Sequence, residues 1–360
     1  MHFRRVCLES FGYTLPDEIV TTAALEARLA PLYQRLRLTE GRLELMTGIR
    51  ERRFFPVGTR PSTISIESAR RAIEASGIDP RFFGALVHGS VCRDFLEPAT
   101  ACRVHHGLDL PNECVIYDVS NACLGLLNGM VQVASMIELG QIRAAVVVGT
   151  ECGRSLVDNT IELLNNDLNL TRESIKNSIA SLTIGSASVA IVLCDEELSR
   201  TDNRLTSAMV YCDTSHHELC QSRGLETVMQ TDSEALMRQG IAAGAETFGR
   251  FLAAAGWEPG DINRTFCHQV GVAHRKLMFN SLGLNPAIDF GTLEFLGNTG
   301  SAALPVTMAL GIEQGWLRQG DRLALLGIGS GINCLMLGVE WQRSAVQATK
   351  EKTRPVAQRT

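Results

Sequence analysis

Cys114-Val115-Ile116-Tyr117-Asp118-Val119-Ser120-Asn121-Ala122-Cys123-Leu124-Gly125 is the stretch whose reading decides the fold. The β-branched, apolar run over 115–119 predicts a strand. Ser120 or Asn121 offers a cap for a helix expected over 122–136. A strand handing over to a helix within so few residues is the repeating unit of an α/β fold. Cys123 would sit in the first turn of that helix. Unpaired backbone N–H groups and the positive end of the helix dipole there favour thiolate over thiol. Of the eleven cysteines, this one has the best local reason to be a nucleophile.

Outward from this stretch, the alternation of short strands and longer helical patterns occurs twice. Ala85-Leu86-Val87-His88, the Cys123 unit and Ala144-Ala145-Val146-Val147-Val148-Gly149 form the first series. Thr265-Phe266-Cys267-His268, Gly297-Asn298-Thr299-Gly300 with its following helical run, and Leu323-Ala324-Leu325-Leu326-Gly327 form the second. The pattern reads as an internal duplication with a seam near 194–203. It predicts an N-terminal half over 1–195, a C-terminal half over 196–345 and a polar, frayed tail over 346–360. A polar, helix-prone insertion at 155–181 is expected to cap a site rather than supply chemistry.

The bulk composition bounds the function. The chain has 360 residues, 45% apolar and 20% charged, with a formal charge of −5 and 6% aromatics. These values fit a globular enzyme and argue against a nucleic-acid surface. No apolar run approaches the roughly 20 residues of a membrane span, and Met1-His2-Phe3-Arg4-Arg5 lacks the apolar core of a secretory signal. The cysteines are too sparse and irregular for a disulfide framework, so free thiols and a cytoplasmic location are expected.

Two further residues occupy telling places. His268 ends the apolar run 262–267, where a strand opens into a loop, and Asn298 lies in the glycine-flanked turn Leu296-Gly297-Asn298-Thr299-Gly300-Ser301. Parallel α/β sheets place their sites at the carboxyl ends of strands, so Cys123 and His268 would share one rim. A Cys–His pair supplies nucleophile and acid/base, while Asn and His N–H groups can bind a developing oxyanion. That combination suits acyl transfer through a thioester. Cys212, His216, His217 and Cys220 invite a metal reading, but their spacing is not a usual zinc pattern, and a packed or cleft-lining segment is the expectation. The Gly327, Gly329 and Gly331 run lacks the context of a dinucleotide fingerprint and is better explained by backbone proximity to the nucleophile.

The motifs 118–125, His268-Gln269, 297–302 and Gly327-Ile328-Gly329-Ser330-Gly331 resemble the thiolase superfamily, and within it the β-ketoacyl synthase III branch. The resemblance spans 1–341. It implies a five-layered αβαβα fold of two duplicated halves, a homodimer, and acyl transfer onto Cys123. It also implies His268 and Asn298 as oxyanion and acid/base pair for the second substrate, and a second oxyanion hole from the backbone N–H of Cys123 with one near Ser330. Ser90-Val91-Cys92-Arg93-Asp94-Phe95-Leu96-Glu97-Pro98-Ala99-Thr100 and 325–334 are similar to the OleA family of head-to-head condensing enzymes. Gly271 after the His-Gln pair, and Asn121 and Leu124 flanking the nucleophile, depart from the chain-initiating synthases in that direction.

This finer resemblance implies non-decarboxylative condensation of two long-chain acyl-CoAs to a 2-alkyl-3-oxo acid, the first step of olefin formation. Coenzyme A thioesters would be substrates, with no resident cofactor or metal, and later pathway enzymes are further partners. It assigns Glu97 as a base reaching into the partner subunit's site. The chemistry agrees: a malonyl donor makes its carbanion by losing CO₂, whereas a plain acyl-CoA must lose an α-proton to a base. A malonyl-type or α-pyrone-forming synthase, a thioesterase or acyltransferase on this scaffold, and a non-catalytic partner subunit are the alternatives.

Overall fold

The computed structural model describes residues 1–222 and 228–347. Ten strands carry the main sheet: β1 (Val6–Thr14), β2 (Phe83–Gly89), β3 (Val115–Val119), β4 (Ala144–Glu151), β5 (Ala187–Asp195), β6 (Arg204–Cys212), β7 (Arg264–Cys267), β8 (Arg322–Gly329), β9 (Asn333–Glu340) and β10 (Val346–Gln347). The helices that matter here are α1 (Pro61–Ser76), α2 (Thr100–Leu108), α3 (Gly125–Glu138), α4 (Arg154–Asn166), α5 (Ser233–Ala255), α6 (Val272–Leu282) and α7 (Ala303–Glu313).

The strand order is β7-β8-β9-β6-β1-β5-β4-β2-β3, with β10 lying parallel to β1. Within it one pattern occurs twice. From β1 the path runs antiparallel to β5, antiparallel to β4, then parallel to β2 and β3. From β6 it runs antiparallel to β9, antiparallel to β8, then parallel to β7. Beyond β7 a lone parallel bridge, Thr265 with Asp289, stands where β3 stands in the first series. The two series meet through one β1–β6 pairing, Cys7 with Arg204.

Burial explains the layers. β4, β5 and most of β8 are buried along their whole length, as strands covered on both faces must be. α7 is buried all round from Ala303 to Ile312, and α3 buries Leu126, Leu127, Met130, Val133, Ala134 and Ile137. These two helices share one core with strands of both series, so they form the middle layer. α1 and α2 cover the outer face of the first series, and α5 and α6 cover the second. The result is the five-layered αβαβα thiolase fold. Over one end, α4 and the 3₁₀ turns of Ser174–Thr183 pack Val157, Ile161, Leu164, Ile175 and Leu182 against Leu25, Leu29 and Leu32, forming a cap.

Two expectations are corrected. α3 starts at Gly125, not at residue 122, and its start has no side-chain cap. Leu124 N–H donates to the Asn121 carbonyl at 2.9 Å, closing a tight turn. Asn121 is occupied elsewhere: its amide donates to Asn128 Oδ1 at 2.8 Å, and its Oδ1 accepts from Asn333 Nδ2 at 3.1 Å. The tail does not fray from 346, because Val346 and Gln347 pair with Phe11 and Gly12, and Phe11 N–H donates to the Ala345 carbonyl at 2.9 Å. Residues 348–360 lie outside the described residues.

Candidate active site

Cys123 follows β3 and His268 follows β7, while Gly89, Glu151 and Gly329 end β2, β4 and β8. The parallel strands therefore deliver their carboxyl ends to one place. Glycine is required where they converge. A Cβ built on Gly89 would meet the Gly125 carbonyl carbon at 2.6 Å, and one on Gly329 would lie 3.1 Å from Leu124 Cγ and 3.7 Å from Cys123 Cβ. Ser330 is the next residue, in the turn beyond β8.

Cys123 sits on a strained turn, with Ala122 held at φ +44°, a conformation that costs a residue with a side chain about 1–3 kcal/mol. The residue keeps part of its surface accessible, yet its sulfur is enclosed. Burial pushes the thiol up to about 12, and the nearby Glu151 and Cys220 add to the effect. This reverses the expectation of a resting thiolate. Desolvation of the charged form outweighs a helix start that lies beyond the cysteine instead of around it.

His268 supplies the complement. It is 5% exposed, its backbone N–H donates to Leu326 O at 3.1 Å, and neither ring nitrogen has a hydrogen-bond partner. Burial, with His274 beside it, lowers it to about 3, so the imidazole is neutral at physiological pH. Thiol and imidazole are thus both neutral at rest. Gln269 holds the histidine's loop in place. Its Oε1 accepts from Thr292 and Leu293 N–H at 2.9 and 2.8 Å, and its Nε2 donates to Phe290 O at 3.2 Å.

Asn298 is fixed through its backbone to the end of the cap. Its N–H donates to Thr183 O and its carbonyl accepts from Gly185 N–H, both at 2.9 Å. Its Oδ1 accepts from Gly300 N–H at 3.0 Å, which orients the amide, and an amide N–H pair is the kind of donor that can bind an oxyanion.

The comparisons with known proteins agree with this geometry. Residues 46–161 match the thiolase N-terminal domain, and residues 252–341 match the C-terminal domain of 3-oxoacyl-[acyl-carrier-protein] synthase III. An acyl-CoA:acyl-CoA alkyltransferase of Shewanella oneidensis is 43% identical, covering 95% of this chain and all of that one. Its counterpart from Xanthomonas campestris is 33% identical over 95% of this chain and all of its own. The chain belongs to the acyl-CoA:acyl-CoA alkyltransferase family of the thiolase superfamily. It is thus a condensing acyltransferase. The crystal structure of a Cys-to-Ala variant of Xanthomonas campestris OleA superposes with a TM-score of 0.91 at 33% identity, covering 95% of this chain and 98% of that one. A synthase III (FabH) structure from Xanthomonas oryzae superposes at 0.90 and 34% identity, covering 95% of this chain and all of its own. Other OleA structures carry substitutions at a glutamate or a histidine, and a Cys-to-Ser variant holds lauric acid and lauroyl-CoA.

Against that family background, Glu97 stands apart within the single chain. It lies on an exposed loop and, among the described residues, has no hydrogen-bond or ion-pair partner. Its neighbour Asp94 is engaged instead with Ser62 N–H at 2.9 Å and Arg103 at 3.6 Å. Beside it, Phe95 and Leu96 are 51% and 90% exposed.

Sequence reasoning missed two buried charged groups. Glu151, 5% exposed at the end of β4, lies close enough to raise the Cys123 pKa and binds two loops at once. The only sequence signal was its position closing the Val146-Val147-Val148-Gly149-Thr150 strand. Arg52 is 1% exposed, its Nε and Nη1 lack partners, and desolvation lowers it to about 10. Its Cβ lies 3.3 Å from where a Gly297 Cβ would be and 3.4 Å from that of Gly185, so both glycines flanking Asn298's strand contact make room for it.

Among the described residues, no three His, Cys, Asp or Glu side chains group as metal ligands. Cys212 is exposed, and the Thr214–Leu219 turns lead into the ribbon Cys220–Gln221, paired with Gln230–Thr231. Ser181 Oγ donates to Met229 O at 3.1 Å, which ties the cap to the segment leading into this ribbon, and Cys220 lies near the nucleophile. No helix among the described residues is long and apolar enough to cross a membrane.

Proposed function

We propose that this enzyme joins two long-chain acyl-CoAs without decarboxylation, through an acyl thioester on Cys123. What supports the reading is that Cys123 and His268, the latter with neither ring nitrogen partnered, each follow the carboxyl end of a parallel strand, in a chain 43% identical to an acyl-CoA:acyl-CoA alkyltransferase. The thiol attacks the first acyl-CoA carbonyl as its proton passes to His268. The backbone N–H groups of Cys123 and Ser330 receive the oxyanion, and the imidazolium returns the proton to departing CoA thiolate. Glu97 from the partner subunit then takes an α-proton from the second acyl-CoA, whose enolate oxygen is held by His268 and Asn298. The carbanion attacks the Cys123 thioester, a C–C bond forms, and the sulfur leaves as thiolate, taking up the proton that Glu97 removed. Hydrolysis of the CoA thioester gives the 2-alkyl-3-oxo acid. CoA thioesters and one water are the small molecules this sequence of steps consumes, and the product suits later enzymes of long-chain olefin formation in the cytoplasm.

The homodimer belongs to the same proposal. The edge strand β3, paired on one side only, and the exposed Phe95–Leu96 tip beside Glu97 are features of the kind a second copy covers. The test is to incubate the pure protein with one long-chain acyl-CoA and no malonyl donor, then weigh protein and products. A Cys123 adduct with a β-keto acid, or the ketone it becomes on losing CO₂, is expected. Adduct with free fatty acid alone would mean hydrolysis, and no adduct would end the reading.

A further inference from the structure

Glu151 makes more contacts in the site than any mechanism step requires of it. Its Oε1 accepts from Val91 N–H at 3.0 Å, Ser301 N–H at 3.2 Å and Ser301 Oγ at 2.6 Å, and its Oε2 accepts from Cys92 N–H at 3.2 Å. Val91 and Cys92 begin the loop that carries Glu97. Ser301 follows Gly300, whose N–H orients the Asn298 amide. Gly300 has φ +56°, and a Cβ there would lie 3.1 Å from Glu151 Oε1, so the turn is pressed directly onto the carboxylate. The same carboxylate is the foremost charged neighbour acting on the Cys123 thiol.

We propose that Glu151 is a positioning residue for condensation, a buried clamp that sets the Glu97 loop and the Asn298 turn in one frame around Cys123. The inference rests on the roles given above to Glu97 and Asn298. Glu151 is not itself the base, because both its oxygens are engaged by donors and neither is presented to substrate. A glutamine cannot replace it: one of its two ends would point an N–H at another N–H donor. Aspartate keeps the charge but falls one methylene short. Acylation of Cys123 draws on its own turn, His268 and the Ser330 N–H, and on neither clamped loop, so it should suffer less than condensation, which needs both.

The experiment compares wild type, E151Q and E151D by single-turnover acylation with lauroyl-CoA, steady-state β-keto acid formation and amide hydrogen exchange. E151Q should slow condensation by about a hundredfold, the scale of a small misplacement of reacting groups. Its acylation should fall by no more than about a tenth of that factor on the same scale. E151D should recover part of the loss, and the Val91, Cys92 and Ser301 amides should exchange faster in E151Q. Equal condensation in E151Q and wild type, or unchanged exchange at those amides, would overturn the clamp. So would parallel loss of acylation and condensation in both variants, which would mark a role in folding alone. If wild type acylates but never condenses, the reading of the reaction fails instead, and the exchange data still decide whether Glu151 holds the two loops.

Discussion

Cys123 and His268 are both neutral in the resting enzyme, and each is neutral for the same reason: burial disfavours the charged form, raising an acid and lowering a base. The thiol is pushed up to about 12. Alkylation of Cys123 by iodoacetamide should therefore keep accelerating as pH rises past 9, the ordinary cysteine value, with no plateau there. A plateau near neutral pH would reveal a resting thiolate. Replacing the base tests the other half of the couple. H268A should slow acylation by about 10²–10⁴-fold, the usual contribution of a positioned general base, as measured by mass spectrometry of the adduct over time. Glu97 acts at a later step. E97Q should acylate Cys123 at close to the normal rate and form no β-keto acid; condensation at the wild-type rate would remove it from the mechanism.

At the scale of elements, the site exists because the ends of β2, β4 and β8 and the start of α3 approach more closely than side chains allow. Gly89 at the end of β2 faces the backbone of Gly125 at the start of α3, with 2.6 Å left for any added carbon. Gly149 in β4 faces the Gly89 carbonyl oxygen at 2.4 Å. G89A must push α3 away from the sheet, which sets a cost of about 1–3 kcal/mol for overpacking. It also shifts the turn that carries Cys123. Thermal melting should show the loss of stability, and acylation should fall with it. Retention of both melting temperature and acylation rate would mean that the turn does not depend on this contact.

At the scale of the whole molecule, the buried titrating groups bound the pH range of stability. His268 and His88 are lowered from 6.5 to about 3 and about 4 by burial. Below 6.5 the unfolded chain takes up protons that the folded chain refuses, so stability should fall as pH drops from 6.5 toward 3. Cys123 and Cys152 are raised from 9.0 to about 12. Above pH 9 the unfolded chain releases protons that the folded chain keeps, and stability should fall again. Melting temperature should be flat between 6.5 and 9 and decline on both sides; a maximum outside that window would contradict these assignments. The dimer has its own test. Mixed dimers of C123A and E97A subunits should regain activity, since one of the two sites keeps both groups, whereas properly formed mixed dimers without activity would place Glu97 in its own subunit's site or in none.

What the sequence determined alone was whatever depends on neighbours along the chain. The strand before Cys123, the glycine turn around Asn298, the strand end at His268 and the twofold recurrence of the pattern are legible because alternation, turn residues and motif spacing are local properties. The tertiary structure alone decided the start of α3, where Asn121 prefers partners at Asn128 and Asn333 to a cap. It also decided the protonation of the nucleophile and the place of Glu151, whose partner Ser301 lies 150 residues away. Desolvation and long-range hydrogen bonds are set by which groups fold against one another, and neither leaves a periodic mark in the sequence.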